Sequence, residues 1–154
     1  MTMVDITDKP KVFREATAIG TIKLKPKTVR MIKDRKIAKG DPLDIAKVAG
    51  ILAAKRTSTL IPLCHALPIT NVKMEADILD PRTVEVTATV KTEAQTGVEM
   101  EALTATAIAL LTIWDMVKQY EKDFEGQYPS TAIADIHVVK KVKKASHGKA
   151  RNNE

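Results

Sequence analysis

After Gly97 the chain runs through Ile113-Trp114-Asp115-Met116-Val117-Lys118 without a helix breaker, and from Ala102 to Trp114 it carries only apolar residues and threonines. The stretch predicts one long helix. With apolar side chains on most of its circumference, such a helix has to be wrapped by a core or by a partner chain. Asp115 and Lys118 interrupt the pattern together. At about 100° per residue, positions three apart share a face, so a carboxylate and an ammonium project side by side from an otherwise dry surface. That pair is either structural or chemical.

A chain of 154 residues with an apolar share of 44% can build one domain with a sizeable core. Its net charge of +6 points to anionic partners, either phosphates in a ligand or nucleic acid. Aromatic residues make up only 3%, too few for the stacking platform that single-stranded nucleic acid binders need. A single cysteine excludes an intramolecular disulfide, and neither a signal-peptide pattern nor an apolar run continuous enough for a bilayer stands out. The expectation is a soluble cytoplasmic protein without a membrane segment.

Along the chain, residues 1–17 read as an extended or mobile arm with no core positions. A strand over 18–25 is stopped by Pro26. Val29, Ile32 and Ile37 then fall at helical spacing, with Gly40 as the closing glycine. Asp41-Pro42 offers an N-cap and a first-turn proline for a second helix, striped by Ile45, Val48, Ala49 and Leu52 and ending at Lys55-Arg56. Residues 57–68, bracketed by Pro62 and Pro68, read as a rigid loop whose apolar residues pack inward. Val72, Met74, Ala76 and Ile78, then Val84, Val86, Ala88 and Val90, alternate with polar residues about Asp80-Pro81-Arg82, which predicts an antiparallel hairpin over 71–92. After the long helix, Ala132, Ala134, Ile136 and Val138 alternate through a last strand, and lysines dominate from Lys140 on.

The order strand, helices, two strands, long helix, strand predicts an α+β, ferredoxin-like (split βαβ) fold: an antiparallel sheet with helices on one face. It divides into a single domain with its arm over 1–142 and a basic, flexible tail over 143–154. A small sheet covers only one side of the long helix, so the surplus apolar surface suggests a homo-oligomer.

Cys64-His65 can be read as a nucleophile with its base, as half a zinc site, or as ordinary loop residues. The only other histidines, His137 and His147, lie at spacings that do not complete a zinc site, so no metal is expected. Glu99 and Glu101 open the long helix, where acids commonly serve its dipole. Glu101 and Asp115 lie on nearly one face but roughly 21 Å apart along the axis, so one chain cannot put both in one small site. Two antiparallel copies of the helix would make two composite sites. Lys39, Lys55, Arg56 and Lys141 stand near segment ends as candidate ligand contacts. A partly dry Lys118 would have its pKa lowered, ready to exchange a proton beside Asp115. There is no glycine-rich nucleotide loop of the Walker or Rossmann type.

Lys39-Gly40-Asp41, Ala53-Ala54-Lys55-Arg56-Thr57, Leu60-Ile61-Pro62-Leu63-Cys64-His65, Thr96-Gly97-Val98-Glu99-Met100-Glu101-Ala102-Leu103-Thr104 and Asp115-Met116-Val117-Lys118 together resemble the MoaC family, the cyclic pyranopterin monophosphate synthases of molybdenum cofactor biosynthesis. The resemblance runs from about Met3 to Lys141. It implies a hexamer built as a trimer of dimers, with sites at subunit interfaces and no cofactor. It also implies a substrate, 3′,8-cyclo-7,8-dihydroguanosine triphosphate, rearranged to cyclic pyranopterin monophosphate with release of pyrophosphate. By position, Asp115 is the catalytic acid/base and Lys118 its partner. Leu63, Cys64, His65, Met100 and Glu101 match substrate-binding stretches, and Lys39 and Lys141 match lysines that contact phosphate or base. The family follows its last lysine with a Ser-Gly-Gly-Lys-type loop, whereas Val142-Lys143-Lys144 follows Lys141 here. The competing reading, a basic ferredoxin-like RNA-binding module, needs aromatics on the sheet, and the hairpin has none.

Overall fold

The alternating runs about Asp80-Pro81-Arg82 form two twelve-residue strands, β2 (Ile69–Asp80) and β3 (Thr83–Ala94), paired antiparallel. The computed structural model describes residues 1–145. Its other elements are β1 (Val12–Lys23), α1 (Pro26–Lys33), α2 (Pro42–Lys55), α3 (Thr57–Leu60), α4 (Glu99–Glu121) and β4 (Ala132–Lys144). The sheet has the order β2-β3-β1-β4, and every neighbouring pair is antiparallel. β3 lies between β1 and β2, which the first helices connect, and β1 lies between β3 and β4, which α4 connects. This is the split βαβ, ferredoxin-like arrangement.

Period-two alternation puts Ala16, Ala18 and Ile22 of β1 with Val84, Val86, Ala88 and Val90 of β3 in the core. α4 lies on this surface and closes it with Ala102, Ala105, Ala109, Leu110, Ile113 and Val117. At Gly20 the helix comes so near that an added Cβ would lie 2.8 Å from the Leu110 side chain. Two threonines of α4 bond back into the helix: buried Thr106 Oγ1 donates to the Ala102 carbonyl at 2.9 Å and half-buried Thr112 Oγ1 to that of Ile108 at 2.7 Å. By length and composition α4 could cross a bilayer, which the sequence expectation denied it. Here it serves as the core helix of the sheet.

α2 starts as its sequence predicts. The Asp41 carboxylate accepts the Leu43 and Asp44 N–H groups at 2.9 and 3.2 Å, with Pro42 following as the first helical residue. Its buried face is not the predicted one. Ala46, Gly50, Ala53 and Ala54 meet α4, while Ile45, Val48 and Leu52 remain about half exposed. The helices approach closely enough that a Cβ at Gly50 would lie 3.2 Å from the Ala105 carbonyl, and only small residues fit there.

Several boundaries move. β1 begins at Val12 and Ala16 is fully buried, so the arm is shorter than predicted and its end belongs to the core. α1 stops at Lys33; Arg35 takes a φ of 56°, and Gly40, at a φ of 108°, closes a loop rather than a helix. Residues 57–60 form the one-turn α3, and Leu60 and Leu63 are exposed where inward packing was expected. β4 continues to Lys144, pairing Lys141 with Ala16 of β1. Asp135, at a φ of 57°, sits where the register shifts, and this breaks the alternation: before it Ile133, not Ala132 or Ala134, packs on the core, and after it the predicted phase resumes, with the Ile136 side chain beside Gly20 and Leu110. The remainder of the predicted tail, 146–154, lies outside the described residues.

Glu121, the last residue of α4, is fully buried and ties three segments together. It accepts the Lys25 N–H at 3.1 Å on each oxygen, the Thr131 hydroxyl at 2.7 Å and the Thr28 hydroxyl. α1 has no capping side chain of its own from Lys25, so this carboxylate takes the place of one.

Candidate active site

The predicted site residues gather in two groups, one at each end of α4. At the C-terminal end, Asp115 and Lys118 stand one turn apart, and the loop after α1 brings Lys39 to them. Tyr120 holds that loop by accepting the Ala38 N–H at 2.9 Å. Lys118 Nζ lies 2.9 Å from Asp115 Oδ1, and Lys39 Nζ lies 2.9 Å from Oδ2 and donates to the Asp115 carbonyl at 2.9 Å. The bond from Lys118, and then that from Lys39, holds the Asp115 carboxyl down at about 2. Lys118 is raised in turn by Asp115. This corrects the expectation of a depressed lysine: its side chain is 45% exposed, and its nearest neighbour is a carboxylate that favours the charged form. Leu111, Trp114 and Ile133 form an apolar wall beside the pair, around a cleft of about 430 Å³.

At the N-terminal end, Glu101 is 2% exposed. Its Oε2 has no hydrogen-bond partner, and the Cys64 thiol meets its Oε1 at 4.0 Å, while its own backbone N–H gives it a little support. Burial raises the Glu101 carboxyl, and the charge of Glu99 adds to the rise. Burial likewise raises the Cys64 thiol, with Glu101 adding to it, which opposes the thiolate a nucleophile would need. Glu99 behaves differently: burial pushes it up, but Lys141 Nζ at 2.6 Å outweighs that and leaves it below its ordinary value. Its carboxylate folds against Gly97, where a side chain would collide with it.

His65 does not pair with Cys64. Its Nε2 lies 2.8 Å from the Val4 carbonyl in the N-terminal arm. Leu63, Cys64, His65, Glu99 and Met100 line one cleft of about 460 Å³, and Val4, Ile6 and Lys9 of the arm complete its wall. Lys55 and Arg56 lie exposed at the same end, because neighbouring Ala54 packs with Val98 and Ala102. Sequence reasoning missed Arg14, whose charge also lowers Glu99, and Gln95, which holds the arm. Arg14 was hidden by assigning its strand to the arm. Among the described residues no three His, Cys, Asp or Glu side chains gather to hold a metal ion.

Glu101 and Asp115 thus lie at opposite ends of one rigid helix, roughly 21 Å apart. The comparison with known proteins adds identity to this geometry. A sequence model described as the MoaC family matches residues 3–144. A protein of Sulfolobus acidocaldarius named as a probable cyclic pyranopterin monophosphate synthase is 57% identical over 92% of this chain and 98% of its own length. One of the same name from Pyrococcus horikoshii is 57% identical over 92% of this chain and 88% of its own. A Methanothermobacter thermautotrophicus protein, 53% identical over 92% of this chain and 88% of its own, is named as a probable accessory protein of that synthase. With its pattern matched from the arm to the end of β4, the chain belongs to the MoaC family.

Proposed function

We propose that this chain is a cyclic pyranopterin monophosphate synthase of molybdenum cofactor biosynthesis, a lyase acting on 3′,8-cyclo-7,8-dihydroguanosine triphosphate. The observation that carries the reading is the convergence of Lys39 and Lys118 on Asp115, in a chain 57% identical to proteins named for this activity. Asp115 and Lys118 move the protons that opening the purine ring requires, with His65 as a further carrier. A carboxyl held at about 2 is a weak base. Binding a triphosphate draws Lys39 onto a phosphate, which removes one of the two cations on Asp115 and raises its basicity.

Closing the cyclic phosphate joins a substrate hydroxyl oxygen to the α-phosphorus and breaks its bond to the bridging oxygen, which departs with pyrophosphate. Lys39, Lys55, Arg56 and Lys141 stabilise the charge growing on that leaving group. Leu63, Cys64, Met100, Glu99 and Glu101 shape and orient the base end of the substrate. The two ends of α4 complete one another only across a subunit boundary. We therefore assign a homohexamer, a trimer of dimers, in which the Glu101 end of one copy faces the Asp115 end of another. The half-exposed Ile45, Val48 and Leu52 supply apolar surface for such contacts. A cytoplasmic setting suits a chain whose one cysteine is a free thiol.

The test is to incubate the purified protein with the cyclic triphosphate, with and without a chelator, and to follow pyrophosphate and the cyclic monophosphate. Asp115→Asn removes a charge and keeps the shape, so it should abolish product while folding and assembly persist. Turnover retained in that variant, or no product from the unaltered chain, overturns the assignment.

A further inference from the structure

The N-terminal arm is anchored over the cleft at three points. Gln95 Nε2, at the end of β3, donates to the Ile6 carbonyl at 3.1 Å and to the Thr7 carbonyl at 3.3 Å. The arm makes a tight bend there: the Asp5 carboxylate accepts the Thr7 N–H at 2.9 Å and the Thr7 hydroxyl at 2.6 Å, and the Lys9 N–H donates to the Ile6 carbonyl at 3.0 Å. The bend sets the Val4 carbonyl 2.8 Å from His65 Nε2. A carbonyl can only accept, so Nε2 carries the proton, and in the neutral ring Nδ1 is left as the basic nitrogen. Val4, Ile6 and Lys9 also line the cleft that holds Leu63, Cys64, Glu99 and Met100.

We infer that the arm is a strap which selects the His65 tautomer, with Gln95 as the positioning residue that holds it down. The inference rests on the proposed synthase activity for the use to which His65 is put, and on this structure alone for the state of its ring. Left to water, an imidazole samples both tautomers and many orientations. Tied to Val4 it presents one nitrogen for accepting a proton, which is how a second partner fixes the role of a histidine in proton transfer. The strap delivers Lys9 to the same wall, so an undocked arm leaves the cleft wider and less positive.

The resting full-length protein, labelled with 15N at histidine, decides the matter. His65 is assigned by the His65→Asn variant, and the intact chain is compared with Gln95→Glu and with a chain lacking residues 2–8. Gln95→Glu keeps the shape but faces two carbonyl oxygens with acceptors only. The intact protein should show a single neutral tautomer protonated at Nε2, with its N–H proton protected from solvent. Both altered chains should lose that protection and mix tautomers. In turnover they should lose about tenfold or more in kcat, as misplaced proton carriers do, with a smaller change in KM and unchanged melting. A mixed or Nδ1-protonated His65 in the intact chain overturns the strap. So does a ring signal indifferent to both alterations. Because the ring is read at rest, failure of the intact chain to turn over would sink the synthase assignment without touching this result.

Discussion

α4 carries a buried glutamate near each end, and the two differ in everything but burial. Glu121 accepts from a backbone N–H and two threonine hydroxyls, so every direction from its oxygens is answered. Glu101 is as dry but has one oxygen with no partner and, from other residues, a thiol at 4.0 Å on the other. A saturated buried carboxylate holds parts of a fold together, whereas an unsaturated one costs stability that folding alone would not retain. The difference separates an anchor from a carboxyl the fold leaves unanswered, and it could not be read from burial or residue type.

The comparison breaks most visibly at the anchor. Glu121→Ala leaves the Lys25 N–H and the Thr28 and Thr131 hydroxyls without their acceptor, and should cost about 4 kcal/mol. In thermal unfolding that corresponds to a drop of about 12 °C, with little change in turnover measured well below the transition. Glu101→Gln should invert the pattern. It lowers kcat about hundredfold while leaving stability unchanged or improved by about 1 kcal/mol, read by steady-state kinetics beside denaturant unfolding. Equal loss of stability in both variants would erase the distinction.

Acidity sharpens it by a smaller effect. The Glu101 carboxyl is raised in the folded chain above its ordinary 4.5, so the native state binds the proton more tightly and stability falls as pH rises above that value. Glu101→Gln should remove this slope, and its gap from the unaltered chain should close as pH falls toward 4.5. Asp115 has the opposite sign. Its carboxyl drops from 3.8 to about 2 on folding, so its contribution is present above 3.8 and disappears as pH falls toward 2. Melting curves of Asp115→Asn against pH should therefore converge with those of the unaltered chain only in that acidic window.

Much of the frame was legible because it rests on periodicity. The hairpin alternation, the Asp41-Pro42 helix start and the long run of α4 are local patterns, and the structure places each where its spacing puts it. The errors share a cause. On α2 the large residues Ile45, Val48 and Leu52 drew attention, while the real contact with α4 runs through Ala46, Gly50, Ala53 and Ala54, small residues that carry little hydropathy signal but allow close approach. In β4 a single left-handed Asp135 shifts the phase, so Ile133 and Ile136 both face α4, and one alternation counted along the whole strand cannot foresee that. At the site, the side-by-side placement of Asp115 and Lys118 followed from helical spacing, but the arrival of Lys39 depended on a loop pinned by Tyr120.

By itself the sequence determined which helix had to lie at the centre, the order of strands about it and the pairing of an acid with an amine on one of its turns. These depend on residues a few positions apart, and local geometry fixes them. The tertiary structure alone decided that Glu121 is satisfied and Glu101 is not, that Lys118 is raised rather than lowered, and that the arm reaches His65. Each of those is set by groups distant in the chain, and the state of a charge depends on what surrounds it in space.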